Sequence, residues 1–147
     1  MDQNTRTELM DQFFEKCRQA DLSVTPQRLA VYKALVSDDN HPSPDMIYKA
    51  VLPDFPTISF ATVYKILETF EQKGIISKVT SLHNTLRYDP FKERHHHIIC
   101  IKCKRIIDLR SKDLDVIPIP AEVKKGNMLI DFSVHFNVIC SDCRNND

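Results

Sequence analysis

Two Cys-x-x-Cys pairs, Cys100-Ile-Lys-Cys103 and Cys140-Ser-Asp-Cys143, constrain this chain more than any other feature of its sequence. Each pair is spaced so that a tight turn can aim both sulfurs at one ion, and two pairs complete a tetrahedron of thiolates. Zinc suits such a set at about 2.3 Å per sulfur, and a closed Cys-only shell leaves no open position for substrate, so the expected role is structural. A redox dithiol or simple buried thiols are the competing readings of one pair, and the presence of two pairs weighs against both. The fifth cysteine, Cys17, lies on an apolar helical stripe and reads as a core residue. Cysteines used as metal ligands suit a reducing compartment. No apolar run approaches the roughly 18 residues of a membrane span, and the start MDQNTRTELMDQFFEK lacks the apolar core of a signal peptide. A cytoplasmic protein with no membrane partner is therefore expected.

With 147 residues, 42% of them hydrophobic, the chain can build one ordinary domain or two small ones. Leu9, Met10, Phe13, Phe14 and Cys17 recur at helical spacing and predict a first helix from Thr5 to Ala20. Thr25-Pro26 and Ser43-Pro44 each supply an N-cap followed by a proline at the first helical position. They open a second helix to about Ser37 and a short third one, whose Met46, Ile47, Ala50 and Val51 are expected to face inward before Pro53 stops it. A fourth helix is predicted from Ser59, with Ala61, Val63, Ile66, Leu67 and Phe70 on its apolar stripe and Gly74 at its end. The β-favouring runs Ile75 to Thr80 and Thr85 to Tyr88 then read as a hairpin around Ser81-Leu82-His83-Asn84. Helices followed by such a hairpin make a winged helix-turn-helix.

Past Pro90 the periodicity changes to two, with strands expected over His95 to Ile101, Arg105 to Leu109 and, longer, Met128 to Ile139. Pro118 and Pro120 should split any helix between them, because each removes a helical hydrogen bond. On the first of these strands His95 and His97 share a face, so they can share an ion, while His96 points the other way, toward solvent or a second, weaker site. Asp89 and Asp108 flank them in neighbouring strand-like segments, and Asp108 sits among isoleucines, where an unpartnered charge would be costly. Imidazole and carboxylate without thiolate admit ferrous iron, manganese or zinc. The competing reading is that these are ordinary surface or core groups.

From about Arg18 to Cys143 the order of these features resembles the ferric uptake regulator family. The resemblance rests on Thr25-Pro26-Gln27-Arg28, His41-Pro42, Ala61-Thr62-Val63-Tyr64, His95-x-His97-x-x-Cys100-x-x-Cys103 and Cys140-x-x-Cys143. It implies an α+β protein, with a winged-helix DNA-binding domain over residues 1–89 and a small α/β metal-binding dimerisation domain over residues 90–147. It also implies a regulatory Fe2+ or Mn2+ held by His41, Asp89, His95, His97 and Asp108, beside structural Zn2+ on the four cysteines. An ion gripped by ligands from both domains would fix their angle and so select the DNA-competent shape. In helix-turn-helix fashion the start of the helix from Ser59 to Lys73 is expected in the major groove, with Tyr64, Lys65 and Thr62 against bases or phosphates and Arg28, Lys33, Lys78 and Arg87 against phosphates; the competing reading of these charges is a solvated face. A homodimer on a palindromic double-stranded operator follows from the same resemblance.

Net charge is zero and the first half is slightly acidic, so affinity for DNA must come from local placement rather than a basic field. Asp108 points to the peroxide-sensing branch, since the iron- and zinc-responsive members usually carry glutamate there. In that branch hydrogen peroxide oxidises a ligating imidazole, here His41 or His95, and the repressor releases DNA. An iron- or zinc-uptake repressor is the alternative within the family. Two histidines with a carboxylate also describe a non-haem iron oxygenase, but nothing marks a substrate pocket and the helix-turn-helix would go unexplained, so no enzyme is expected. A zinc-stabilised adaptor that does not bind DNA is a third reading.

Overall fold

A computed structural model describes residues 2–38, 41–80, 86–91 and 95–146, and the chain divides into two compact units, Met1–Lys92 and Glu93–Asp147. In the first unit α1 spans Gln3–Gln19, α2 Pro26–Ser37, α3 Pro44–Val51 and α4 Phe60–Gln72. Each starts behind a side chain that caps it: Asp2 accepts from the Thr5 N–H, Thr25 from Arg28, Ser43 from Met46 and Ser59 from Thr62. Such an oxygen satisfies one of the N–H groups that a helix start leaves unbonded. Helix α1 begins before the expected Thr5 because Asp2 supplies its cap. Gly74, at φ 74°, ends α4 in the left-handed conformation that costs a glycine little.

The core of this unit is an aromatic stack wrapped in aliphatic side chains. Phe13 lies parallel to Tyr32 with ring centres 4.1 Å apart and meets Phe70 edge-on at 5.6 Å, and all three are fully buried. Cys17 joins them as a buried residue, as its stripe predicted. Three inward assignments need correction: α3 buries Ile47 and Val51 but leaves Met46 and Ala50 exposed, and α4 leaves Ala61 exposed. A helix packed on one side hides only a narrow stripe, and residues 47 and 51 occupy it. Phe13→Ala should cost about 3–5 kcal/mol, read as a lower urea midpoint at an unchanged slope, because it opens a cavity where three rings meet.

Strands β1 (Ser77–Thr80) and β2 (Leu86–Asp89) pair antiparallel, with Ser77 opposite Asp89 and Lys78 opposite Tyr88. They form the expected wing, whose loop Ser81-Leu82-His83-Asn84 and first residue Thr85 lie outside the described residues.

The second unit is a three-stranded sheet in the order β4-β3-β5. Central β3 (His96–Cys100) pairs antiparallel with β4 (Ile106–Leu109) and parallel with β5 (His135–Val138). Between β4 and β5 lie two four-residue helices, α5 (Lys112–Asp115) and α6 (Ala121–Lys124), on either side of Pro118 and Pro120. The long strand expected over Met128 to Ile139 shrinks to four residues. Its partner β3 begins at His96 and pairs His97 with His135, so residues upstream of Val134 run past the end of that strand. Met128 and Ile130 are accordingly 82% and 76% exposed. A last short helix, α7 (Ser141–Asn145), had no sequence signal, because five residues are too few to display a periodicity.

Candidate metal centres and nucleic-acid interface

The first centre is built at one end of the sheet. Cys100 closes β3 and Cys103 follows in the turn, where Lys104 adopts φ 64°; Cys140 follows β5 and Cys143 lies on α7. Parallel pairing of β3 with β5 sets Cys100 opposite Val138 and so brings both Cys-x-x-Cys turns together. The four sulfurs lie within 4.8 Å of one another, with Cys100 to Cys143 and Cys103 to Cys140 both at 3.8 Å. A tetrahedron with zinc–sulfur bonds of about 2.3 Å has edges of about 3.8 Å, so the spacing fits that ion. The Cys140 N–H, donated at 3.4 Å, and the Cys103 N–H bring the Cys100 thiol down to about 6. Hydrogen bonding to Cys140, burial and the neighbouring sulfurs push Cys143 up to about 12. Four sulfurs this close cannot all ionise unless a cation shares their charge.

The second unit also gathers three nitrogen and oxygen donors. The register sets His97 directly opposite Asp108, and His95, two residues before His97, shares its face. His95 Nε2 stands 3.4 Å and His97 Nε2 3.5 Å from the same oxygen, Asp108 Oδ1, and both imidazoles are buried. Asp108 is half-buried, and the two imidazoles that converge on its carboxylate offset the cost of covering it.

His96 does not turn to solvent. It is fully buried on the other face of β3, where its Nδ1 accepts the Val134 N–H at 3.0 Å and its Nε2 lies 2.8 Å from Asp115 Oδ1. The bond at Nδ1 leaves the proton on Nε2, facing the carboxylate. His96 therefore bolts β3 to α5 and to the approach of β5, which fixes the strand that presents His95 and His97. His135 was missed by sequence reasoning: it stands opposite His97, with ring centres 5.2 Å apart, and partial desolvation followed by the neighbouring imidazoles of His97 and His96 lowers its pKa. A lone histidine in a short strand carries no motif that would have singled it out.

In the first unit His41 and Asp89 meet at the edge of the wing. His41 sits at φ 53°, a left-handed conformation uncommon for any residue but glycine. Its loop is held there by the hairpin: the Tyr88 N–H donates to Pro42 O at 3.3 Å and Arg87 Nη1 to His41 O at 3.3 Å. Asp89 is fully buried, accepts the Phe91 N–H on Oδ1 at 2.8 Å, and turns Oδ2 to within 3.7 Å of His41 Nδ1. A buried imidazole facing a buried carboxylate, in a strained loop, is an arrangement that a cation would satisfy. The donors of the two units contain no thiolate and suit iron, manganese or zinc.

On α4, Tyr64 and Lys65 are exposed, while Thr62 is half-buried and its hydroxyl lies 2.9 Å from that of Ser59. Arg28 donates to Ser23 O at 2.8 Å, and Arg87, expected against phosphate, is engaged with the His41 loop and with Met46 Sδ at 3.3 Å. Sequence reasoning passed over Phe60, the first residue of α4, which is 40% exposed.

A winged helix followed by a small sheet unit with metal-ligand clusters defines a metal-dependent, DNA-binding regulator. Residues 19–137 match the model of the Ferric uptake regulator family, and the chain belongs to that family. It is 34% identical over 140 residues to the peroxide-responsive repressor PerR of Staphylococcus aureus (strain Mu50 / ATCC 700699), across 92% of this chain and 91% of that one. The peroxide stress regulator of Campylobacter jejuni superposes with a TM-score of 0.63 at 32% identity, covering 91% of this chain and 98% of the other. The ferric uptake regulator Fur of Helicobacter pylori shares the fold, with a TM-score of 0.72 at 24% identity over 95% and 93% of the two chains. These relatives are regulators rather than enzymes. No helix among the described residues is long and apolar enough to cross a membrane.

Proposed function

We propose that this protein is a cytoplasmic repressor that binds a palindromic DNA operator as a homodimer and releases it when hydrogen peroxide oxidises a histidine ligand. Residues 1–89 would bind DNA and residues 90–147 would bind metal and dimerise. The observation that carries the reading is the carboxylate of Asp108, met by both His95 and His97 at 3.4 and 3.5 Å. The likeness to peroxide-responsive relatives supports it further.

In this proposal Cys100, Cys103, Cys140 and Cys143 hold structural zinc. A regulatory Fe2+ or Mn2+ draws on His41 and Asp89 of the first unit together with His95, His97 and Asp108 of the second. The resemblance to the family is the argument for one shared ion. Ferrous iron, when bound, would supply the electron that breaks the O–O bond of peroxide. The imidazole of His41 or His95 loses two electrons overall, exchanges a ring C–H for a C=O with the displaced proton on nitrogen, and the second peroxide oxygen leaves as water. An oxidised imidazole is a poorer ligand, so the ion is released and the units lose the arrangement that grips DNA. Arg28, Thr62, Tyr64 and Lys65 would make the contacts on the DNA side.

The test is DNA binding by the dimer loaded anaerobically with ferrous iron, before and after near-stoichiometric hydrogen peroxide, with intact mass recorded alongside. The expected result is loss of binding in the iron form alone, with one added oxygen in a peptide containing His41 or His95, while a manganese-loaded sample is unaffected. Retention of both DNA and mass in the iron form would make the protein an iron- or zinc-uptake repressor instead.

A further inference from the structure

The first turn of α4 presents an apolar ring to solvent. Ser59 caps the helix and Phe60 is its first residue, 40% exposed, with no acidic side chain in that turn. The ring is held in a fixed place: Tyr48 of α3 meets it edge-on at 5.7 Å and 88°, and Tyr64, one turn along α4, lies 6.4 Å away. Edge-to-face contacts of this kind orient a ring without burying its outer face. The helix thus carries an ordered aromatic at its tip, beside the exposed Tyr64 and Lys65.

In a helix-turn-helix, the N-terminal residues of the second helix contact base edges in the major groove. That groove offers a single apolar feature, the 5-methyl group of thymine, and every other distinguishing group there is a hydrogen-bond donor or acceptor. Phenylalanine has neither donor nor acceptor. Resting on the reading of α4 as the helix that enters the groove, we infer that Phe60 is a specificity-determining residue that recognises a thymine methyl in each half of the operator. Tyr48 is its positioning residue, because its edge-on contact sets the direction in which the ring faces. Tyr64 has an apolar ring face as well as a hydroxyl, so the thymine position assigned to Phe60 is the one at which Phe60→Ala abolishes the methyl preference.

The test uses the full-length, zinc-containing, manganese-loaded protein and a duplex that this protein selects from a randomised library. That duplex is synthesised with thymine, or with deoxyuridine at one thymine position of each half-site at a time, and affinity is measured by fluorescence anisotropy. Wild-type protein should lose roughly fourfold in affinity per methyl, so about 15-fold in all when one position is replaced in both half-sites. Phe60→Ala should bind the thymine duplex more weakly by the same factor and no longer distinguish it from the deoxyuridine duplex. Phe60→Leu, which keeps an apolar branch at the tip, should retain much of the discrimination, and an unchanged thermal midpoint and zinc content certify both variants as folded. Wild-type indifference to every methyl, or a Phe60→Ala protein that keeps the wild-type thymine-to-deoxyuridine ratio, overturns the assignment while leaving α4 as the DNA-binding helix. Failure of the manganese form to select any duplex would instead bring down the DNA-binding reading on which the assignment rests.

Discussion

Cys103→Ser is expected to strip zinc from the chain and unfold the second unit, while the helices of the first persist. The second unit has little else to hold it: among the described residues its buried apolar side chains are Ile99, Cys100 and Ile106, and its two middle helices are four residues long. Small domains of this kind draw on the order of 10–16 kcal/mol of apparent free energy from structural zinc, far more than so small a core supplies. Cys103 is the most informative of the four positions because it is exposed, so its removal opens no cavity. The observable is elemental zinc per chain, expected to fall from one to near zero, together with rapid proteolysis confined to the region after the wing. A variant that retains zinc and resists protease would show that Cys103 is not a ligand and that this unit has another source of stability.

His97→Ala is expected to act on the other centre alone. His97 lies directly across the sheet from Asp108, so its loss leaves that carboxylate with one imidazole in place of two. Removing a group that merely supports a ligand lowers metal affinity about 10- to 100-fold, and removing a ligand should exceed the upper end of that range. Manganese titration followed by DNA binding would report it: affinity for manganese falls by more than about 100-fold and DNA binding stops responding to the metal. Zinc content and thermal stability stay near wild type, because the four cysteines are untouched. If manganese binds the variant as tightly as the parent, His97 is a core residue and the regulatory set must be drawn elsewhere.

Much of this protein was legible because its signals are local. Thr25-Pro26, Ser43-Pro44 and Ser59 mark helix starts through bonds that span three residues, and the helices begin there. The two Cys-x-x-Cys spacings are also local, and each turn needs only its own residues to aim two sulfurs. The alternation that puts His95 and His97 on one face is a property of any extended strand.

What sequence did not reveal depends on partners distant along the chain. The end of β3 cut the strand predicted from Met128 to four residues, and nothing within Met128 to Val134 announces that limit. His96 has the same local pattern as a solvent-facing residue, yet Val134 and Asp115 capture it in the interior. His135 gained a neighbour only when parallel pairing set it opposite His97, and Phe60 gained a fixed orientation only when α3 delivered Tyr48. Arg87, which reads as a phosphate contact by its charge, was taken by the His41 carbonyl across the wing. By itself, the sequence determined where helices begin, which residue types could bind metal and which family the chain resembles, because capping, periodicity and ligand chemistry act over a few residues. The tertiary structure alone decided which donors meet and which side chains face solvent, because strand register and helix packing join groups tens of residues apart, and no local pattern encodes those distances.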